Sequence, residues 1–156
     1  MTAVVNLRIL MVNDVYSPLQ TRGQGGWAEL STMIKEFRCD NTLFVLPGDF
    51  LGGSTLAQLH EGKYCIDIMN HMGVDYVVIG NHEFDFGDSP LKDRMRESNF
   101  QWFGANVKER DTGALFGEAL ATKTIDISAP GCDNTGDESS VRIGIFGITT
   151  QGTPKV

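Results

Sequence analysis

At 156 residues and 17.1 kDa the chain is about one domain's worth of sequence, long enough to bury a core without disulfide or metal staples. An apolar share of 41% and a charged share of 21% exclude a disordered tail or a coiled coil. Thirteen basic against twenty acidic side chains leave a net charge of −7, which repels polyanions and points away from nucleic acid as a partner.

Eighteen glycines are more than a chain this size ordinarily carries, and imply many tight strand-to-helix turns. Cys39, Cys65 and Cys132 are odd in number and widely spaced. They form neither a disulfide framework nor a metal knuckle, and suit a reducing compartment. Met1–Asn6 lacks the basic-then-apolar layout of a signal peptide, and no apolar run is long enough to span a membrane. The expectation is a cytoplasmic protein with no membrane partner.

In chain order, Leu7–Val12 (LRILMV) is a short apolar run ahead of Asn13-Asp14 and predicts a buried strand. Val15–Gly25, with Pro18, Gly23 and Gly25, predicts a loop. Trp27, Leu30, Met33, Ile34 and Phe37 follow helical spacing and predict a helix over Gly26–Phe37. Leu43–Leu46 predicts a second strand, stopped by Pro47-Gly48. Ser54 is placed to cap a helix to about His60, and a further helix is expected over Cys65–Met72, ending at Gly73.

Tyr76–Ile79 predicts a third strand, followed at once by Gly80-Asn81-His82-Glu83. Ser89-Pro90 suits the first two positions of a helix to about Ser98. Beyond Gln101–Ala105 the helical signal fades. Ala119–Ser128 and Val141–Ile148 alternate like strands around a polar stretch, Ala129–Ser140, expected to be a surface loop. No internal repeat is present. Strand–helix alternation followed by strands predicts an α/β domain whose sheet begins parallel and later adds other strands.

The chemically capable side chains share one location. Asp14, Asp49 and Asn81-His82 each follow an apolar strand, and in open α/β sheets ligands bind beyond the carboxyl ends of the strands. Two carboxylates brought together repel unless a cation lies between them. Asp and Asn oxygens with an imidazole suit Mn, Fe, Zn or Mg. Singly, an aspartate after a strand is more often a turn former; the combination carries the argument. His60 and His71 fall on helical stretches and are read as surface or packing residues. Gly23-x-Gly25-x-x-Ala28 superficially resembles a dinucleotide fingerprint. It starts too far beyond the first strand, so no NAD or other organic cofactor is expected.

Asn13-Asp14-Val15-Tyr16, Gly48-Asp49 and the string Gly80-Asn81-His82-Glu83-Phe84-Asp85-Phe86-Gly87 resemble the motifs of calcineurin-like metallophosphoesterases. Within them, the chain is most similar to the N-terminal domain of the 5′-nucleotidase and 2′,3′-cyclic-nucleotide phosphodiesterase family. Gly104–Val107 and Gly144–Thr150 extend the likeness from about Leu7 to Thr150. The resemblance implies part of a four-layer αββα sandwich with a mixed sheet, and a nucleotide-hydrolysing phosphatase. It implies two divalent metals, with Asp14 on one, Asp49 bridging both and Asn81 on the second. It also implies that His82, oriented by Asp85, acts on the phosphate, while a metal-bridging hydroxide attacks phosphorus. The implied substrate is a phosphate ester, a nucleotide foremost.

Two departures accompany the likeness. The family's first motif is Asp-x-His with the histidine a ligand, and Tyr16 stands in that place. Tyr16 is therefore either a pocket residue beside the ligands or, as in purple acid phosphatases but from a different motif, a direct phenolate ligand. The family's remaining histidine ligands, including a GHxH-type motif, come from later sequence, and no histidine follows His82 here. The expectation is that residues 1–156 form the N-terminal part of a metallophosphoesterase domain with no second domain. A C-terminal part or a partner subunit would complete it. The competing expectation is a module that no longer catalyses and has a structural or interaction role.

Overall fold

The computed structural model describes residues 4–19, 23, 25–128 and 140–151. The expectations for Met1–Ala3, for part of the glycine loop (20–22 and 24), for Cys132 and for the polar stretch 129–139 fall outside them.

Four strands, β1 (Arg8–Met11), β2 (Thr42–Leu46), β3 (Tyr76–Val78) and β4 (Gln101–Phe103), form one parallel sheet in the order β1-β2-β3-β4. The crossovers carry α1 (Trp27–Phe37), then α2 (Thr55–His60) and α3 (Lys63–Met72), then α4 (Asp88–Glu97). Because strand order follows chain order and parallel crossovers are right-handed, all the helices fall on one face of the sheet. The main core lies between them. Phe44, Leu46, Val77 and Trp102 from the strands meet Ile34, Ile66, Met69, Leu91 and Met95 from the helices. Each such side chain contributes about 1.5–3 kcal/mol relative to exposure.

β5 (Thr122–Ser128) and β6 (Ser140–Phe146) pair antiparallel as a separate two-stranded sheet. The sequence anticipated one sheet that mixes directions; the structure keeps the parallel and antiparallel ladders apart. The second sheet lies toward the other face of the first. Gly147 packs so closely on Phe103 and Val78 that a Cβ there would come within 2.7 Å of the Phe103 side chain. Between the two sheets runs an apolar cavity of about 490 Å³ lined by Ile9, Met11, Val45, Val78, Ile143 and Ile145, among others.

Two local expectations are corrected. The Leu7–Val12 segment predicted a buried strand, yet β1 is an edge strand with Ile9 58% and Met11 62% exposed. Leu7, Ile9 and Met11 line the inter-sheet cavity while Leu10 and Val12 pack against the main core, a division that a linear apolar run cannot reveal. The Ser89-Pro90 start is also shifted. α4 begins at Asp88 after Gly87 (φ 88°), and no side chain caps it. Pro90 still falls in the first turn, where its missing N–H is not needed. Elsewhere the punctuation holds: Ser54 Oγ accepts from Ala57 N at 3.1 Å, and Gly73 closes α3 at φ 71°.

Candidate active site

The three loops beyond the carboxyl ends of β1, β2 and β3 approach one another, and two of them turn through backbone conformations that L residues seldom adopt. Asp14 stands at φ 57° and Asp49 at φ 61°. Such left-handed aspartates are uncommon and concentrate at functional sites. Gly48 (φ 90°) and Gly80 let the β2 and β3 loops touch, since a Cβ on Gly48 would lie 2.7 Å from the Gly80 nitrogen.

A continuous chain of contacts links the side chains. The Tyr16 hydroxyl donates to Asp14 Oδ1 at 3.0 Å, and the Asn13 amide donates to Asp14 Oδ2. The Tyr16 ring meets His82 edge-on, with centroids 5.5 Å apart. His82 Nδ1 lies 3.1 Å from Asp85 Oδ2, and the His82 backbone N–H donates to Asp49 Oδ1 at 3.0 Å. Asn81 sits half-buried between Gly80 and His82, its carbonyl accepting from Phe84 N as a short 3₁₀ turn (His82–Phe84) begins. Asp14, Tyr16, Asp49, His82 and Asp85 are thus brought to one edge of the sheet, and Asn81 lies on the same loop as His82. His60 and His71 are exposed on helices, as expected.

Charge decides how these groups ionise. The Asp85 hydrogen bond holds the His82 imidazole above its ordinary pKa, aided by Asp49 and Glu83 and opposed by partial burial. The Tyr16 phenol is pushed well above its usual range by burial first, then by its bond to Asp14 and the charges of Asp49, Asp14 and Glu83. Without a cation it stays protonated and serves as a donor to Asp14. The charged neighbours that shift both rings are all carboxylates. A concentration of acidic charge with oxygen donors suits a hard or borderline divalent cation, so the donor set of Asp14, Asp49 and Asn81 fits a metal. Among the described residues no cluster of three or more His, Cys, Asp or Glu side chains forms a metal site by itself, and the amide of Asn81 would have to join the two aspartates.

Three residues escape sequence reasoning. Glu83 is 1% exposed, and its carboxylate accepts from four backbone N–H groups: Gly80 (2.7 Å), Asp49 (2.8 Å), Phe50 (2.9 Å) and Leu51 (3.3 Å). Burial pushes its carboxyl above the ordinary carboxylate range while those four donors pull it back. Gly52 leaves room for Asp85, since a Cβ there would lie 2.1 Å from Asp85 Oδ2. Gly53 (φ 77°) makes room for the Tyr16 ring, 2.5 Å from its would-be Cβ. The only linear hint was the Gly52-Gly53 pair itself.

A parallel α/β sheet with carboxylates and an imidazole gathered beyond its strand ends is the arrangement of a ligand-binding α/β protein. More particularly, the chain belongs to the calcineurin-like phosphoesterase family, whose model matches residues 7–131. It is 32% identical to the 5′-nucleotidase of Bos taurus and 30% identical to a snake venom 5′-nucleotidase of Gloydius brevicauda. Each alignment covers 95% of this chain but only 27% and 26% of those relatives, so the chain spans about a quarter of their length. The crystal structure of a 5′-nucleotidase precursor from Thermus thermophilus superposes with a TM-score of 0.72 at 25% identity, over 92% of this chain and 28% of that one. The fold is that of the N-terminal part of such 5′-nucleotidases. Among the described residues no helix is long and apolar enough to cross a membrane.

Proposed function

We propose that the chain is the N-terminal part of a metal-dependent phosphomonoesterase acting on nucleoside 5′-monophosphates. The observation that carries this is the contact chain from Asp14 through Tyr16 and His82 to Asp85 and Asp49, at the edge where an α/β sheet binds its ligands. Asp14, Asp49 and Asn81 would hold the cations, with Asp49 serving two of them. When bound, divalent ions neutralise phosphoryl oxygens and acidify water; Mn, Zn, Fe and Mg all suit these donors.

The remaining chemistry belongs to the chain's own side chains. Hydrolysis forms a bond from water oxygen to phosphorus and breaks the bond to the ester oxygen, which leaves needing a proton. His82, kept protonated to a higher pH than a free imidazole, presents a cation to the phosphoryl oxygens and a proton to the leaving oxygen. Asp85 accepts from Nδ1 of the protonated ring, which leaves Nε2 as the nitrogen that would serve the substrate.

The test, made on the protein in which a C-terminal part or partner subunit completes the domain, is phosphate release from AMP with Mn²⁺ or Zn²⁺ supplied, with metal content measured in each variant. Residues 1–156 alone should give no more than trace release. The expected pattern is metal-dependent release that His82→Ala lowers by about 10²–10⁴-fold with metal retained. Asp49→Ala loses metal and release together. An empty metal site in His82→Ala with unchanged turnover per metal would refute these roles. One observation favours a second reading, a module with a structural or interaction role. Tyr16 stands where the family places a histidine ligand, and its phenol is held protonated. Metal binding with no phosphate release would favour that reading.

A further inference from the structure

We infer that Glu83 is a positioning residue for the cation site: its carboxylate fixes the backbone of Asp49, and so sets how tightly the site holds a divalent ion. The inference rests on the phosphoesterase reading for the identity of the site, but its structural half does not.

Glu83 Oε2 accepts from Asp49 N and Gly80 N, one on the β2 loop and one on the β3 loop. Oε1 accepts from Phe50 N and Leu51 N. One side chain therefore ties together the loop that carries Asp49 and the loop that carries Asn81. It also gathers three successive N–H groups around the point where the chain turns left-handed at Asp49. Those N–H groups are turned toward a buried carboxylate, and removing their acceptor leaves donors with no water to replace it. Glycine at 80 is required by the same crossing, since a Cβ there would lie 2.3 Å from Asp49 Oδ1 and 2.7 Å from Glu83 Oε2. Asp49 Oδ1 in turn accepts from His82 N, so the position of the Asp49 carboxylate is set from both its backbone and its side chain. Groups that orient metal ligands from behind commonly change affinity about 10–100-fold when altered.

Glu83→Gln discriminates, because its amide carries one acceptor where the carboxylate has two. Whichever way it turns, either the Asp49 and Gly80 donors or the Phe50 and Leu51 donors face an NH₂ group. The readouts are amide hydrogen exchange and calorimetric titration with Mn²⁺ alone, on the full chain. Exchange at Asp49, Phe50 and Gly80 should accelerate at least about tenfold while the Phe44–Asp75 and Phe103–Ile79 backbone bonds stay protected. Mn²⁺ affinity should fall about 10–100-fold, with Glu83→Asp intermediate because it keeps the charge but not the reach.

Unchanged exchange overturns the inference, and so does faster exchange with unchanged Mn²⁺ affinity, which would leave Glu83 a purely structural residue. If Glu83→Gln does not fold, phenyllactic acid at position 50 removes one donor and keeps every side chain. Local exchange and Mn²⁺ affinity should then still weaken together, and no change in either overturns the inference. If the unmodified chain binds no Mn²⁺, the site reading fails and takes the affinity half with it. Exchange alone then decides whether Glu83 fixes Asp49.

Discussion

Asp49 allows folding and ligand binding to be separated by two substitutions at one position. Its backbone is left-handed at φ 61°, a conformation that costs an ordinary L residue about 1–2 kcal/mol and that Asp and Asn tolerate better than Ala. Its Oδ1 accepts the His82 N–H at 3.0 Å, a bond with a net worth of about 1 kcal/mol, and more if the donor is left without water. Asp49→Ala loses both advantages and should destabilise the fold by about 2–3 kcal/mol. Asp49→Asn keeps the backbone preference and an acceptor for His82. It also removes one of the three carboxylates that crowd Tyr16, so its stability should stay within about 0.5 kcal/mol of the parent or exceed it. Both variants should lose Mn²⁺ binding. Urea unfolding by circular dichroism and calorimetric Mn²⁺ titration measure the two quantities independently. Equal stability of the two variants would refute the backbone argument, and Mn²⁺ affinity within twofold of the parent in Asp49→Asn would refute the ligand assignment.

Gly53→Ala places a Cβ 2.5 Å from the Tyr16 ring at φ 77° and should cost about 2–4 kcal/mol in urea unfolding. Part of that should return in a Tyr16→Ala background; an equal loss in both backgrounds would refute the steric account. Burial pushes the Cys65 thiol up to about 12, whereas Cys39 is exposed. Iodoacetamide at pH 8 with peptide mapping should therefore label Cys39 in the native protein and spare Cys65 until unfolding. Arg142 Nε donates to Asp126 Oδ1 at 2.8 Å across the β5–β6 ladder and holds that carboxyl below its ordinary pKa. The resulting stabilisation is present above the unfolded carboxylate pKa and is lost as pH falls through the folded one. Arg142→Gln should thus flatten the acid side of the melting temperature–pH curve and leave its neutral slope unchanged.

The elements legible in the sequence were those whose periodicity and punctuation agree. α1, α2 and α3 appear where apolar spacing, Ser54 and Gly73 placed them. β4 was not read, because Gln101 and Gly104 bound an apolar pair, Trp102-Phe103, too short to register as a run, whereas β3 lies in the four-residue apolar run Tyr76–Ile79. The edge position of β1 was not legible either, since an apolar run records what could be buried and not which neighbours arrive to bury it. The same division holds at the site. Asp14, Asp49 and His82 stood out because each follows an apolar strand at a Gly- or Asn-marked turn. Glu83 did not, because three of its four partners lie on a loop more than thirty positions away, and it is the pairing of β2 with β3 and the close approach of Gly48 to Gly80 that bring the two loops together.

The two strained aspartates are held by opposite means, and this bears on how the site tolerates change. Both turn left-handed three residues beyond the end of a strand, Asp14 after β1 and Asp49 after β2. Asp14 is fixed through its side chain, by Asn13 and the Tyr16 hydroxyl, on a loop of exposed edge-strand origin. Asp49 is fixed chiefly through its backbone, by a buried glutamate that closes against a neighbouring loop. A side-chain tether can be exchanged for another donor at modest cost, so the Asp14 side of the site can vary in its partners. A buried carboxylate with four N–H donors has no such freedom, because any replacement leaves donors dry. Tyr16 is the residue at which this sequence departs from the family's Asp-x-His pattern, and it sits on the tolerant side. Variation at position 16 should therefore tune the Asp14 half of the site, while Glu83 and Gly80 hold the Asp49 half to one geometry.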